Sequence, residues 1–280
     1  MAGGKNREIK LRMRGIQSTG KITKAMGLVA SSKLGKAKDK VARSRPYFQI
    51  LYKTLTDISS LNRDFSSPYT EIRTIKNSCF IVIGGDRGLA GGYNANIFKQ
   101  AEATMRGKNA FIVPIGKKTI EYFERSKHRI FSKNYANIEK IGVGKCFEIS
   151  HRLCDAFITK EFDEIYLVYT NFVSMLDQQP AALHLLPLTK ATACVHREVV
   201  LYEPSAEAVY NAIVPEYLAG LLYGALCEAL ASELGARHTA MDSASKNAEE
   251  IMEKLTLQYN RARQSAITQE ITEIVAGAGE

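Results

Sequence analysis

The sequence predicts an α/β protein in which long N- and C-terminal helices pair as an antiparallel coiled coil around an inserted α/β domain. Three observations predict it. Both ends of the chain repeat apolar residues every 3.5 positions, the two ends carry opposite charge, and short apolar runs alternate with amphipathic stretches between them. The expected division is a coiled-coil helix over 1–60, an α/β domain over 61–205 and a second coiled-coil helix over 206–280.

The C-terminal stretch organises the rest. Alternate steps of four and three residues run through Ala206, Tyr210, Ile213, Tyr217, Gly220, Gly224, Cys227, Ala231, Leu234, His238, Met241, Ser245, Ala248, Met252, Leu255, Tyr259, Ala262 and Ala266. All but four are apolar, and the exceptions other than His238 are small. A 3.5-residue repeat held this long keeps one helical seam turned towards a partner helix. Pro215 is the one proline of the stretch, so at most a single kink interrupts it. A helix of this length reaches roughly 110 Å and has nothing of its own to bury its stripe against.

The N-terminal stretch supplies the partner. Its seam runs Ile9, Met13, Ile16, Gly20, Thr23, Gly27, Ala30, Leu34, Ala37, Val41, Ser44, Phe48, Leu51, Leu55 and Ile58. Gly20 and Gly27 each cost about 1 kcal/mol of helix propensity relative to alanine, so their seam positions point to close backbone approach. The repeat resumes at Phe48 after Pro46, which argues for a kink there rather than an end. Antiparallel pairing with residue numbers summing to about 263 would set Met26 beside Glu233 to Arg237. The longer helix then overshoots, leaving Tyr259 to Ala278 with Ile267, Ile271, Ile274 and Val275 outward and in need of a protein cover.

Charge supports this pairing. The net charge is +9, with 14 Lys/Arg against 3 Asp/Glu in residues 1–60 and 5 against 11 in residues 206–280. A basic arm alone suggests nucleic acid, with steep salt dependence. Only Tyr47, Phe48 and Tyr52 provide aromatics there, and the acidic partner helix explains the asymmetry without nucleic acid.

Between the helices, Arg63 to Lys76 reads as a linker. Cys79 to Ile83 and Ala110 to Ile115 read as buried strands, each stopped by glycine. Asn94 to Met105, Lys117 to Arg125 and Lys145 to Lys160 read as helices. Asp163 to Tyr169 and Cys194 to Tyr202 read as strands, and Gln178 opens an irregular stretch. Such alternation implies a largely parallel sheet.

Several chemistries find no support. The longest apolar run, Tyr217 to Cys227, is 11 residues and ends at Glu228, against roughly 20 for a bilayer span. The N-terminus has neither the apolar core nor the cleavage pattern of a secretory signal. Five cysteines without a Cys-x-x-Cys pair fit a reducing compartment, and the scattered histidines lack ligand spacing. The loop Gly84 to Gly92 follows a strand and precedes a helix, where a phosphate cradle sits. Its spacing matches neither the dinucleotide nor the P-loop pattern, and it contains no lysine. A tight structural turn, with Asp86 and Arg87 in local hydrogen bonds or a subunit contact, is the better reading; a nucleotide-dependent enzyme is the rival. No nucleophile stands with a base, so the expectation is no catalytic residue, no cofactor and no metal.

Four stretches, in order along the whole chain, resemble the gamma subunit of F-type ATP synthases. They are Ile22 to Leu34, Asp86 to Asn94, Arg237 to Gln264 and, most closely, Ile267-Thr-Gln-Glu-Ile-Thr-Glu-Ile-Val-Ala-Gly-Ala-Gly279. The resemblance implies a coiled coil plus a Rossmann-like domain and a non-catalytic rotor within a ring of three alpha and three beta subunits. It implies one copy per complex, an epsilon subunit and a membrane ring of c subunits as further partners, and no nucleic acid. Carried over by position, Lys24 and Met26 would meet moving lobes of the beta subunits, with Glu233 and Arg237 near them. Arg263 and Gln264 would reach loops of the ring, with Thr268 and Glu270 further along. Ala90 stands where many relatives carry cysteine, and the cysteine-bearing insertion of light-regulated relatives is absent. The resemblance therefore implies no thiol switch and a bacterial subunit peripheral to the cytoplasmic face of the inner membrane.

Overall fold

The computed structural model describes residues 2–61, 66–126, 128–189 and 202–277, and within the helices leaves aside the side chains of 2–5, 44, 45, 48, 61, 270, 273, 276 and 277. In chain order the elements are α1 (Ala2–Leu61), β1 (Ser78–Ile83), α2 (Tyr93–Met105), β2 (Ala110–Ile115), α3 (Lys117–Arg125), β3 (Arg129–Ile130), α4 (Val143–Ile158), β4 (Glu164–Phe172), β5 (Gln178–Leu186) and α5 (Ala206–Gly277). Both long helices continue through their internal prolines, Pro46 and Pro215. Two compact units result, one of residues 1–31 with 237–280 and one of 32–236, so the boundary falls inside α1 and α5.

The larger unit is built on a five-stranded sheet of order β3-β2-β1-β4-β5. β1 pairs in parallel with β2 and β4, β2 with β3, and only β5 is antiparallel. β1 is central and buried along its whole length, which is why its sequence is a continuous apolar run. Its side chains nonetheless alternate between two cores. Cys79, Ile81 and Ile83 face a core shared with α4, the last turns of α1 (Leu55, Ile58) and the first part of α5 (Tyr210, Val214, Leu218, Leu222). Phe80 and Val82 face a smaller core closed by Ile97, Phe98, Ala101 and Met105 of α2 and Phe123 of α3. The most apolar 18-residue window of α5 has a mean hydropathy of 1.3, which by length and composition could cross a bilayer, but 61% of it is buried inside the protein.

One expectation changes here. Gln178 onwards is not irregular: it forms β5, with Thr170 opposite Pro180. The proline and the polar pair before it hide this strand, and its place at the sheet edge tolerates the missing amide. The short β3 has no counterpart in the sequence reading. The strand expected at Cys194 to Tyr202 lies outside the described residues, apart from Tyr202.

The linker is tied down. Ser67 Oγ accepts from the Tyr69 amide at 3.2 Å and donates to Asn211 Oδ1 at 2.7 Å, and the Leu188 amide donates to the Tyr69 carbonyl at 2.7 Å. Level with the first residue of β1, Glu164 is a buried carboxylate that accepts from Lys108 Nζ at 2.6 Å, Ser78 Oγ at 2.6 Å and Tyr166 OH at 3.1 Å. Burial pushes the Glu164 carboxyl up, but these donors outweigh it and hold it below its ordinary value. Burial lowers Lys108, and its bonds to Glu164 and Tyr166 reverse this and raise it. Both shifts favour the ion pair.

Glu164 therefore contributes stability above its unfolded-state pKa and loses it as pH falls through its lower folded value, whereas Lys108 contributes below its unfolded pKa and loses it as pH rises through its higher one. Lys108→Met leaves Glu164 buried without its cation and is expected to cost about 3 kcal/mol at neutral pH. The stability gap to wild type should narrow below about pH 4, where the stranded carboxyl can take a proton. Thermal denaturation from pH 7 to 3 checks this; a gap constant with pH would contradict it.

Candidate functional site

In the smaller unit α1 and α5 run antiparallel, and the buried positions fall on the expected seams. Thr23, Gly27 and Ala30 are buried from α1, and Met241, Ala248 and Leu255 from α5. The glycines work by closeness. A Cβ on Gly20 would stand 3.4 Å from that of Ala248, and one on Gly27 3.6 Å from that of Met241. Polar seam residues bond across the pair: Thr23 and Ser245 hydroxyls lie 2.7 Å apart, and His238 Nδ1 lies 3.0 Å from the Gly27 carbonyl oxygen.

These pairs correct the register. Gly20 with Ala248, Thr23 with Ser245 and Gly27 with Met241 each sum to 268, about five residues more than expected. Gly27 thus faces Met241 and His238. A seven-residue repeat fixes which face pairs and leaves the axial offset open.

The expected contact residues separate accordingly. Lys24 is exposed, and Met26 and Arg237 are half-buried, flanking the level at which Gly27 meets His238. Arg263, Gln264 and Thr268 are exposed on α5, and Thr268 Oγ1 donates to the Gln264 carbonyl at 3.0 Å. The Glu270 side chain lies outside the described residues. Seam positions of α5 remain half-buried as far as Ala266, and beyond it Ile267, Ile271, Ile274 and Val275 are exposed, Ile274 by 70%. The overhang therefore starts at 267 rather than 259. On α1, Leu28 and Val29 are exposed by 68% and 58%. They were missed, although apolar residues off the seam of a heptad helix are themselves a signal.

Glu233 belongs to the larger unit and is 4% exposed, so the partner contact expected of it is replaced by an internal one. Its Oε1 would lie 3.0 Å from a Cβ on Gly85, so it walls the Gly84–Gly92 loop. That loop is a built turn. Asp86 accepts from the amides of Lys117 at 3.1 Å and Ile138 at 3.0 Å; Asn94 Oδ1 accepts from the Gly85 amide at 2.8 Å, and Asn94 Nδ2 donates to the Arg87 carbonyl at 3.3 Å. Burial raises the Asp86 carboxyl against the pull of its two amide donors. Tyr93 OH donates to the Ala229 carbonyl at 3.1 Å, fastening the loop's end to α5. The space above β1, where an α/β sheet would place a phosphate, is thus filled by Asp86, Asn94 and Glu233. Arg87, Gly88 and Leu89 stand exposed at the tip, as do Gly91 and Gly92 beyond the buried Ala90, and Leu89 has φ 61°. Among the described residues, no cluster of His, Cys, Asp and Glu could hold a metal ion.

The smaller unit is thus a close antiparallel helix pair with an exposed apolar end, and the larger is an α/β unit whose loop is spent on its own fold. The chain belongs to the ATP synthase family, whose profile matches residues 5–279, and its relatives there are gamma chains. The ATP synthase gamma chain of Ruminococcus albus is 42% identical over 274 residues, covering 96% of both chains. That of Lachnoclostridium phytofermentans is 43% identical over 284 residues, covering 97% of both. The fold matches a chain in the Euglena gracilis mitochondrial ATP synthase structure containing OSCP, F1 and c-ring, with a TM-score of 0.70 at 20% identity over 99% of this chain and 94% of that one. It also matches a chain in the Tetrahymena thermophila mitochondrial ATP synthase central stalk and c-ring structure, with a TM-score of 0.62 at 24% identity over 80% of this chain and 99% of that one.

Gly116 holds the loop from below. Its φ is 99°, and a Cβ there would meet the Gly84 carbonyl oxygen at 2.5 Å, whereas Gly107, at φ 78°, has nothing within 4 Å. Gly116→Ala is expected to cost about 3 kcal/mol and Gly107→Ala about 1 kcal/mol. Urea denaturation of both compares them; equal losses would show that backbone strain alone matters.

Proposed function

We propose that this chain is the central rotor of a bacterial F-type ATP synthase, turning inside a ring of three alpha and three beta subunits. One copy serves each complex. It couples proton flow through a membrane ring of c subunits to ATP synthesis and hydrolysis at the beta subunits, with an epsilon subunit as a further partner. It works as a peripheral subunit at the cytoplasmic face of the inner membrane and contributes no catalytic group.

The overhang of α5 beyond Ala266 carries this reading. Four exposed branched side chains at 267, 271, 274 and 275 each gain about 1.5–3 kcal/mol if fully covered. An apolar helix end without a partner helix asks for a sleeve from other subunits. Arg263, Gln264, Thr268 and Glu270 would make the polar contacts of that sleeve, and Lys24, Met26 and Arg237 those of the moving beta lobes. Rotation couples the sites because one asymmetric shaft presents different faces to subunits in different states, so each state is favoured at a different angle. The basic N-terminal helix suits sliding past acidic loops, since screened charges attract without locking.

Deleting Ile267–Glu280 tests this. The shortened chain is expected to keep its helical signal while co-purifying less with alpha and beta subunits and supporting roughly tenfold less proton-coupled ATP synthesis. Unfolding of the shortened chain, or unchanged assembly and synthesis, would overturn the reading.

A further inference from the structure

A cleft of about 410 Å³ opens between α1, α5 and the β4–β5 edge of the sheet, wholly within the larger unit. Small-molecule sites run from roughly 300 to 1,000 Å³. The room comes from α5, where Gly220 and Gly224 line the cleft without side chains. On the same face of that helix Tyr217 precedes them by about one turn, and the half-buried Glu228 follows by one. Tyr52 enters from α1 and Tyr169 from β4, and leucines of β4, β5 and α5 line the wall between them.

Three aromatic faces and one carboxylate define what fits. The Tyr52 and Tyr217 rings lie 6.0 Å apart at 34°. Tyr217 is 8% exposed, and its hydroxyl has no hydrogen-bond partner among the described residues, whereas a buried tyrosine usually finds one. Burial, with smaller contributions from Tyr52 and Tyr210, pushes this hydroxyl up to about 12. It therefore stays neutral and adds no second negative charge. Tyr169 is raised too, by burial first and then by the charge of Glu228, so the field of that carboxylate reaches into the cleft. Among the described residues the lining carries no Lys, Arg or His. The cleft is apolar, walled by ring faces and negative at one end.

We propose that this cleft binds an amphipathic organic cation, an ammonium group carried on a short aromatic or aliphatic body. The ammonium stands beside Glu228 and over the tyrosine faces, whose ring quadrupoles attract cations. The body lies on the leucines and on the glycine backbone of α5, where each buried methylene adds to binding. An anion would meet Glu228 and the negative ring faces, so the site discriminates by charge as well as by shape. Its volume favours a free small molecule over a single Lys or Arg side chain of a partner, which would leave much of the cleft unfilled. The site belongs to the chain alone and does not depend on the rotor reading.

Three probes on one skeleton test this with the full chain by titration calorimetry at neutral pH. They are phenylbutylamine, a cation, phenylbutanol, neutral, and phenylvalerate, an anion. The amine is expected to bind at least about tenfold more tightly than the alcohol, and the anion most weakly. Glu228→Gln should weaken the amine about tenfold and move the alcohol less than about twofold. Tyr52→Leu, at an exposed position, should weaken the amine about threefold. If Glu228→Gln loses the helical signal, the Tyr52 variant and the ranking of the three probes carry the test. No detectable binding of the amine, equal affinity for amine and alcohol, or an amine affinity unchanged in both variants overturns the proposal. The measurement needs no other subunit, so its failure is distinct from failure of the rotor reading, which would appear as a chain that does not assemble.

Discussion

Close approach of two helix backbones is the constraint on which the smaller unit depends. Gly20 and Gly27 bring α1 against Ala248 and Met241 within Cβ contact distance, and only at that spacing can Thr23 reach Ser245 or His238 reach a carbonyl of the facing helix. The helix-propensity cost of the glycines is repaid by these contacts and by burial along the seam. Larger residues at 20 and 27 would part the helices and lose both.

The larger unit solves a different problem. Its parallel sheet has the geometry that elsewhere cradles phosphates at the end of the first strand, yet the loop there is filled from within. Asp86 is spent on two backbone amides, Asn94 on another, and Glu233 closes the wall beside Gly85. The same topology that could hold a ligand here holds a rigid tip, Arg87 to Leu89. The first part of α5 and the last turns of α1 are core elements of this unit; α5 is amphipathic in one part and largely buried in another, whereas α1 buries one side only.

Much of this was legible in the residues. The seams, both long helices, the strands from Cys79, Ala110 and Asp163 and the three shorter helices follow from periodicity and glycine stops. What escaped was what periodicity does not encode. Axial register is degenerate in a seven-residue repeat, so it came out about five residues from the pairing of Gly20 with Ala248. The burial of Glu233 could not be read from α5 alone, because its cover, the loop at Gly85, arrives from about 150 positions away along the chain. Pro180 disguised an edge strand. Leu28 and Val29 lie off the seam, where a seven-residue repeat carries no information about apolar residues. The family resemblance fixed identity better than any single site, because its four stretches span the chain in order, whereas the contact residues it implies depend on partners.

Antiparallel pairing of α1 with α5 is the feature on which the account turns, and paired spin labels at Leu11 and Leu257 measure it directly. Both side chains are exposed, and the observed pairing sets them at the same level of the helix pair. Pulsed dipolar spectroscopy on the full chain is expected to give a single narrow distance of about 20–25 Å, roughly two helix diameters. A distribution centred beyond about 40 Å, or one with several resolved peaks, would contradict the pairing.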